Sequence, residues 1–99
     1  MVATGKALAG KYGADNVLIN SVLPGLIRTP MWERAANEIA EARGGSNEDV
    51  FAANSKSVPQ GRYGTAEEVA AVITFLCSEA ASYVNGAVID VDGGQGRHI

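Results

Sequence analysis

The residues with the greatest potential for chemistry follow a short apolar run, between Asn20 and Met31. Pro24 and Gly25 turn the chain there, and the glycine lets the backbone approach a ligand closely. Thr29 offers a hydroxyl, and the N–H groups after it can bind an anion. Open α/β sheets bind ligands at the carboxyl ends of their strands. Local chemistry nevertheless favours an ordinary turn and a capped helix, with a ligand site as the alternative.

Met31 and Trp32 begin the helical segment that follows. Apolar side chains beside a cofactor site are typical of a mobile lid over a substrate. They are equally typical of an amphipathic helix packed on its own core. The sequence leaves both interpretations open.

Other reactive side chains have simpler explanations. Arg62 can anchor a carboxylate or the end of a sheet, although a solvated loop arginine is favoured. Cys77 lies on an apolar stripe, which predicts a buried and unreactive thiol. Asp90 and Asp92 fit a strand-end turn better than a pair of catalytic carboxylates, and His98 has no Cys or acidic cluster nearby. Since no Cys/His metal-ligand spacing occurs, we expect no metal site.

Composition narrows the class of protein. The chain has 99 residues and a net charge of -3, which argues against nucleic acid as a partner because phosphate binding requires a basic face. No apolar run approaches the roughly 18 residues of a membrane span, and no signal peptide is visible. A single cysteine cannot form an internal disulfide. We therefore expect a cytoplasmic protein with no membrane partner and one domain at most.

Apolar periodicity and turn residues predict the order helix, strand, helices, helix, strand. The predicted helices span residues 1–12, 31–43, 46–57 and the residues from 66 onward, and the predicted strands span residues 17–23 and 87–91. Gly13 is expected to be a left-handed C-cap. Thr29 and Pro30 form a helix start, and Thr65 with Glu68 fits a capping box.

These elements imply a fold class. Short apolar strands joined through a helix indicate a right-handed parallel βαβ unit. Two strands make a poor sheet, and the first helix has no strand before it. The sequence therefore predicts an α/β protein, the tail of a larger doubly wound parallel sheet.

The helix from residue 66 is apolar on two faces. Val72 and Phe75 lie on one face. The other face is a stripe made of Ala66, Val69, Ala70, Ile73, Leu76 and Cys77. A helix of this kind is expected to be buried twice, once in its own core and once elsewhere.

Four segments in this order resemble the short-chain dehydrogenase/reductase family. Residues 7–22 are similar to its sixth helix and strand, and Pro24-Gly25-Leu26-Ile27-Arg28-Thr29-Pro30 is similar to its cofactor-contacting segment. Residues 61–70 are similar to the entry of its last long helix, and residues 82–94 are similar to its final strand and closing turn. Together they reverse the preference for a plain turn at residues 24–30. The resemblance implies that residues 1–99 are one partial domain, the C-terminal part of a Rossmann-like doubly wound parallel sheet.

The resemblance implies a cofactor, NAD or NADP. The backbone at Ile27 is expected to meet the nicotinamide carboxamide, and Thr29 is expected to give its hydroxyl to the cofactor. Pro24 and Gly25 are assigned to the same cofactor-binding segment. The substrate implied by the family is a small-molecule alcohol or ketone.

The resemblance also implies a lid and an oligomer. Residues 31–60 are expected to close over the substrate, with Met31 and Trp32 beside it. The first and last helices and the final strand commonly build a dimer or tetramer interface in the family. This implies a homo-oligomer with Val72 and Phe75 in its interface.

Two motifs of the family are absent from the 99 residues, the Gly-rich dinucleotide fingerprint and the catalytic Tyr-x-x-x-Lys. No catalytic residue is therefore assigned. We expect a C-terminal fragment of an NAD(P)-dependent oxidoreductase that transfers hydride between nicotinamide and a secondary alcohol or ketone, inactive by itself. The alternative is a non-catalytic module that self-associates or complements a separate N-terminal half.

Overall fold

The computed structural model describes residues 2–96, so the predictions for Met1 and His98 lie outside the described residues. The elements are α1 (Val2–Tyr12), β1 (Ser21–Pro24), β2 (Ile27–Arg28), α2 (Pro30–Arg43), α3 (Asn47–Ser55), β3 (Gly64–Thr65), α4 (Ala66–Leu76) and β4 (Val88–Val91). The predicted order of helices and long strands is confirmed. The short strands β2 and β3 were not predicted from the sequence.

The strands of residues 2–96 form two separate parallel pairs. β1 pairs with β4, in a register that sets Ser21 against Val88 and Pro24 against Val91. β2 pairs with β3, with Ile27 opposite Gly64. The parallel β1–β4 pairing confirms the predicted βαβ connection.

The first strand begins later than predicted. Residues 17–23 were expected, whereas β1 is Ser21–Pro24. The N–H of Ile19 donates to the side chain of Asn85 at 3.0 Å, and the β1–β4 ladder starts where Ser21 N donates to Ala87 O at 2.9 Å. Ile19 O accepts from Gly86 N at 2.9 Å, whereas Val17 N donates to Tyr12 O at 3.3 Å, so the residues before Ser21 do not continue a regular ladder.

Gly13 is not the left-handed C-cap that was expected. It opens a 3-10 turn, Gly13–Asp15, and the residue with positive φ is Asn16 at 60°. Asparagine tolerates the left-handed region better than most residues other than glycine, so the turn moves the reversal three residues along the chain.

The start and end of α2 follow the predicted signals. Thr29 accepts a hydrogen bond from Trp32 N, and Pro30 is the first helical residue. Gly44 and Gly45 end the helix with φ of 81° and 97°, a region open to glycine at little cost.

Both α3 and α4 begin with a capping box. Ser46 and Asp49 satisfy each other's backbone N–H groups before α3, and Thr65 and Glu68 do so before α4. The second box confirms the sequence prediction. α3 ends at Ser55, two residues before the predicted end.

The hydrophobic core cluster of the described residues lies within the helical segment and not under the β1–β4 pair. Phe51, Tyr63 and Ala36 form it, and partly buried Trp32 packs against it. The remaining partly buried members are Leu26 and Val50. Residues 26–63 therefore carry a small core of their own.

The apolar stripe of α4 is not buried as predicted. None of residues 66–76 is buried, Ile73 is 47% exposed, and Cys77 is an exposed free thiol. α1 shows the same pattern, with Ala9 buried and Leu8 and Tyr12 more than a third exposed. A two-stranded sheet is too narrow to cover the inner faces of both helices.

The chain is elongated. Its radius of gyration is 17.1 Å and its extents are 57 × 25 × 20 Å, whereas a compact domain of this length has a radius of gyration of about 13 Å. Within residues 2–96, no helix combines the length and the apolar character that a bilayer crossing needs.

Candidate functional site

The candidate site begins with the backbone of Ile27 in β2. Gly64 N donates to Leu26 O at 2.9 Å, and Ile27 lies opposite Gly64 in the parallel register. In such a ladder the residue opposite Gly64 directs its own N–H and C=O to the other side of the strand. The two polar groups of Ile27 thus face away from β3, as a donor and an acceptor for something outside the pair.

Gly25 is fixed by a contact within the chain. Its N–H donates to Val91 O at 3.0 Å, which continues the β1–β4 ladder beyond Pro24. A β-carbon at this position would lie 2.6 Å from Cβ of Asp92. The need for glycine is explained by close approach of the two strand ends, a reason that sequence reasoning did not identify.

Asp92 builds the turn after β4. Its carboxylate accepts from Gly94 N at 3.0 Å and from Gly96 N at 2.7 Å. The preference for a strand-end turn at this aspartate is confirmed. The turn holds Asp92 against Gly25 and so shapes the carboxyl edge of the β1–β4 pair.

Thr29 has a structural role that leaves its hydroxyl proton available as a hydrogen-bond donor. Its Oγ1 accepts from Trp32 N at 3.3 Å, which caps α2. A hydroxyl that accepts one hydrogen bond can still donate its own proton. Thr29 is partly exposed and lies two residues after Ile27, so both can address one ligand.

Met31 and Trp32 lie in different surroundings. Met31 is 67% exposed, which leaves its thioether uncovered at the start of α2. Trp32 packs on the buried cluster and meets Tyr63 edge to face, with 6.0 Å between ring centroids. The core-packing interpretation describes Trp32, while Met31 remains an exposed apolar side chain beside Thr29.

Arg28 is the residue that sequence reasoning missed. It lies between Ile27 and Thr29 and binds carboxylates on two helices, Glu33 in α2 and Glu48 in α3. These bonds, first that to Glu48, raise the pKa of the Arg28 guanidinium above its usual value, and the pKa of Glu48 is lowered in turn by its bond to Arg28. Arg28, Glu33 and Glu48 have no regular spacing in the sequence, so no motif predicted their interaction.

Arg62 forms a second ion pair, with Glu68. Its Nη1 and Nη2 donate to the two carboxylate oxygens at 2.8 and 2.9 Å. The hydrogen bond from Arg62, and then that from Thr65 N, lowers the pKa of Glu68 to about 2. Arg62 therefore anchors a carboxylate, as one of the two interpretations stated, while remaining 54% exposed.

The two faces of α4 remain accessible. Phe75 is 46% exposed and Val72 is partly buried. On the opposite side, a cleft of about 350 Å³ separates α4 from residues 18–22, which we call the β1 segment. Its apolar lining is Leu18, Val22, Ile73, Leu76 and Cys77.

The residues that the structure describes contain no cluster of three or more His, Cys, Asp or Glu side chains able to hold a metal ion. The candidate site is thus made of backbone groups, a hydroxyl and apolar side chains. Such a site can orient a planar polar ligand, but it holds no side chain placed to transfer a proton.

Comparison with known proteins matches this sequence to a protein family. The family model described as enoyl-(acyl carrier protein) reductase matches residues 1–95. A 3-oxoacyl-[acyl-carrier-protein] reductase of Aquifex aeolicus is 43% identical over 89 residues, which is 90% of this chain and 32% of that protein. Levodione reductase of Leifsonia aquatica is 42% identical over 88 residues, 88% of this chain and 32% of that protein.

A solved structure shows the same fold. L-sorbose reductase of Gluconobacter frateurii, complexed with NADPH and L-sorbose, superposes with a TM-score of 0.91 at 34% identity. The match covers 99% of this chain and 38% of the reductase chain. The chain therefore spans about a third of the length of the relatives it matches.

Proposed function

Since the chain belongs to the short-chain dehydrogenase/reductase family of oxidoreductases, we propose that it forms the nicotinamide end and the substrate lid of an NAD(P)-dependent reductase. The reaction is hydride transfer between nicotinamide and a secondary alcohol or ketone. Support comes from relatives that are reductases of carbonyl compounds by name and from a neighbour complexed with NADPH and a sugar.

The observation that carries the proposal is the orientation of Ile27. On the side of β2 that faces β3, Leu26 O accepts the hydrogen bond from Gly64 N. Ile27, which lies opposite Gly64, therefore directs its N–H and C=O away from β3. A carboxamide presents one acceptor and two donors, so this pair of backbone groups can bind it on both sides. The residues present thus fit the nicotinamide end of the cofactor.

Thr29 extends the same site. Its hydroxyl caps α2 as an acceptor and donates a hydrogen bond to the cofactor. Pro24 and Gly25 place this segment at the carboxyl edge of β1, where ligands of parallel sheets bind. The cap gives Thr29 a fixed rotamer, which reduces the entropy lost on binding.

The lid consists of residues 31–60. Exposed Met31 next to Thr29 provides apolar surface for the substrate, and Trp32 supports it from the lid core. The interaction is apolar, so it selects substrates with hydrocarbon surface near the carbonyl. Residues 1–99 in this proposal are one partial domain.

Hydride is the chemistry that the nicotinamide supplies when bound. The chain's own residues orient the carboxamide and exclude water, but none of its three tyrosines is followed four positions later by a lysine. Loss of a general acid costs on the order of 10²–10⁴ in rate. We therefore propose that these 99 residues do not turn over substrate by themselves.

Exposed apolar surface favours a second candidate, a self-associating or complementing module. The elongated shape and the cleft between α4 and the β1 segment leave Leu18 and Ile73 uncovered. An uncovered strand edge next to apolar surface promotes pairing with another chain. Phe75, on the other face of α4, is the proposed centre of a homo-oligomer contact.

The first experiment is a calorimetric titration of the purified chain with NADH and NADPH, with molar mass from light scattering in the same buffer. We expect no binding up to ~1 mM, an affinity too weak for function, and a mass of a dimer or larger. Micromolar binding would show that the chain holds a complete cofactor site, and the proposal of an incomplete one would be withdrawn.

A chimera tests the site residues. The matched third of the Aquifex reductase is replaced by this chain, and NADPH oxidation with a 3-oxoacyl thioester is followed. Thr29→Ser keeps both cap and hydroxyl, whereas Thr29→Asp keeps the cap but cannot donate. We expect activity in the parent chimera and in the serine variant, and a loss of roughly 10-fold or more in kcat/KM for aspartate. Equal activity in both variants would remove Thr29 from the site.

A further inference from the structure

Arg28 connects the cofactor-facing strand to both lid helices. Its Nη2 donates to Glu48 Oε1 at 2.7 Å and to Glu33 Oε2 at 3.3 Å, and its Nε also bonds Glu33. Glu33 lies in the first turn of α2 and Glu48 in the first turn of α3. One guanidinium thus fixes the starts of two helices relative to β2.

The same guanidinium begins a chain of ring contacts. Its central carbon lies 3.9 Å from the centroid of the Phe51 ring. Phe51 meets Tyr63 edge to face at 4.8 Å, and Tyr63 meets Trp32 edge to face at 6.0 Å. Phe51 and Tyr63 are buried at 4% and 7% exposure, and both also line a cleft beside Arg28. A shift of either ring therefore changes its edge-to-face contact with the next ring.

We propose that Arg28 is a positioning residue that sets the orientation of Trp32 through Phe51 and Tyr63, and with it the shape of the lid surface next to the nicotinamide segment. The proposal rests on the proposed function insofar as Trp32 belongs to a substrate lid. A planar guanidinium can stack on a ring while bonding carboxylates at its edge. The strand that holds the cofactor then also determines the surface that meets the substrate.

The two carboxylates contribute differently. Glu48 is 69% exposed, whereas Glu33 is 38% exposed and also accepts from Asn47 Nδ2 at 3.1 Å. We therefore expect Glu33 to keep Arg28 over Phe51 when Glu48 is neutralised. Ring stacking and ion pairing can be separated by substitution for this reason.

The test monitors the spectroscopic signals of Trp32, the only tryptophan of the sequence, in the ligand-free 99-residue chain. Arg28→Lys keeps the charge but loses the planar stack, and Glu48→Gln keeps the stack but loses one ion pair. Arg34→Met, at an exposed position of α2, controls for loss of an arginine. Near-ultraviolet circular dichroism and tryptophan fluorescence are compared at matched helix content.

We expect Arg28→Lys to lower the tryptophan near-ultraviolet signal by ~2-fold or more, since that signal depends on fixed packing of the ring. Glu48→Gln and Arg34→Met are expected to match the parent chain. An unchanged signal in Arg28→Lys, or an equal loss in Glu48→Gln, would overturn the proposal. Because no cofactor is present, either outcome is independent of whether the cofactor site is correctly assigned.

Discussion

Gly25 and Asp92 approach so closely that no side chain fits between them: a β-carbon on Gly25 would lie 2.6 Å from Cβ and 2.9 Å from Cα of Asp92. The contact joins the carboxyl ends of β1 and β4. Asp92 is itself held by the turn that follows it, through Gly94 and Gly96. The edge at which residues 24–30 begin is therefore defined by packing within the chain.

Gly25→Ala is expected to destabilise the chain by about 1–3 kcal/mol, the usual cost of forcing a methyl group into a packed site. Gly10→Ala is the matched control, since nothing lies within 4 Å of a β-carbon there and alanine favours an α-helix by about 0.5–1 kcal/mol. Urea unfolding followed by circular dichroism measures both. Equal effects of the two substitutions would contradict the close contact.

Phe51→Ala is expected to cost about 3–5 kcal/mol, because Phe51 is buried in the cluster with Ala36 and Tyr63 and truncation leaves a cavity. Phe75→Ala, at 46% exposure, is expected to change the free energy of unfolding by less than about 0.5 kcal/mol in dilute, monomeric protein. The same urea experiment compares the two phenylalanines. A larger effect at Phe75 would place the main core at α4.

Phe75→Asp tests the proposed oligomer contact. A carboxylate in an apolar interface remains without a partner, so we expect the molar mass by light scattering to fall towards that of a single chain. Thr74→Asp, at an exposed neighbouring position, adds the same charge without removing the aromatic ring. An unchanged mass in Phe75→Asp would assign self-association to another surface.

Lowering the pH is expected to destabilise the start of α4, because Glu68 becomes protonated. Its pKa is lowered to about 2 by the hydrogen bond from Arg62, below the usual value of about 4.3 for an unfolded chain. The stabilisation is therefore complete above pH 4.3 and is lost as pH falls towards 2. Measurement of the free energy of unfolding between pH 6 and 2 follows this loss.

Glu68→Gln keeps a capping-box residue but removes the charge, so its stability should depend less on pH in that window. Glu67→Gln changes the charge of the same helical turn and leaves the Arg62 pair in place. A pH dependence that is the same in Glu68→Gln and in the parent chain would contradict the assigned pair.

Local signals in the sequence predicted most element starts. Thr29-Pro30, Ser46 and Thr65 cap the helices that follow them, since capping depends on residues three positions apart. The strand boundaries were less accurate. β1 starts four residues later than predicted, since Val17 N bonds back to Tyr12 O and Ile19 N donates to the side chain of Asn85, 66 residues away.

The candidate site was predicted in part. The segment from Pro24 to Thr29 was found by resemblance, and the structure adds the direction in which Ile27 presents its backbone. The roles of these residues toward a cofactor remain predictions. Arg28 was missed because its partners, Glu33 and Glu48, are brought to it by the helical hairpin and share no motif.

The sequence by itself determined the family, the α/β class and the helix caps, because these depend on short segments whose chemistry is local. Tertiary structure decided which apolar faces are covered. It buried Phe51 and Tyr63 and left Ile73, Phe75 and Cys77 exposed, since burial depends on which surfaces meet across the chain. Periodicity identifies an apolar face, but only the packed structure shows whether a partner covers it.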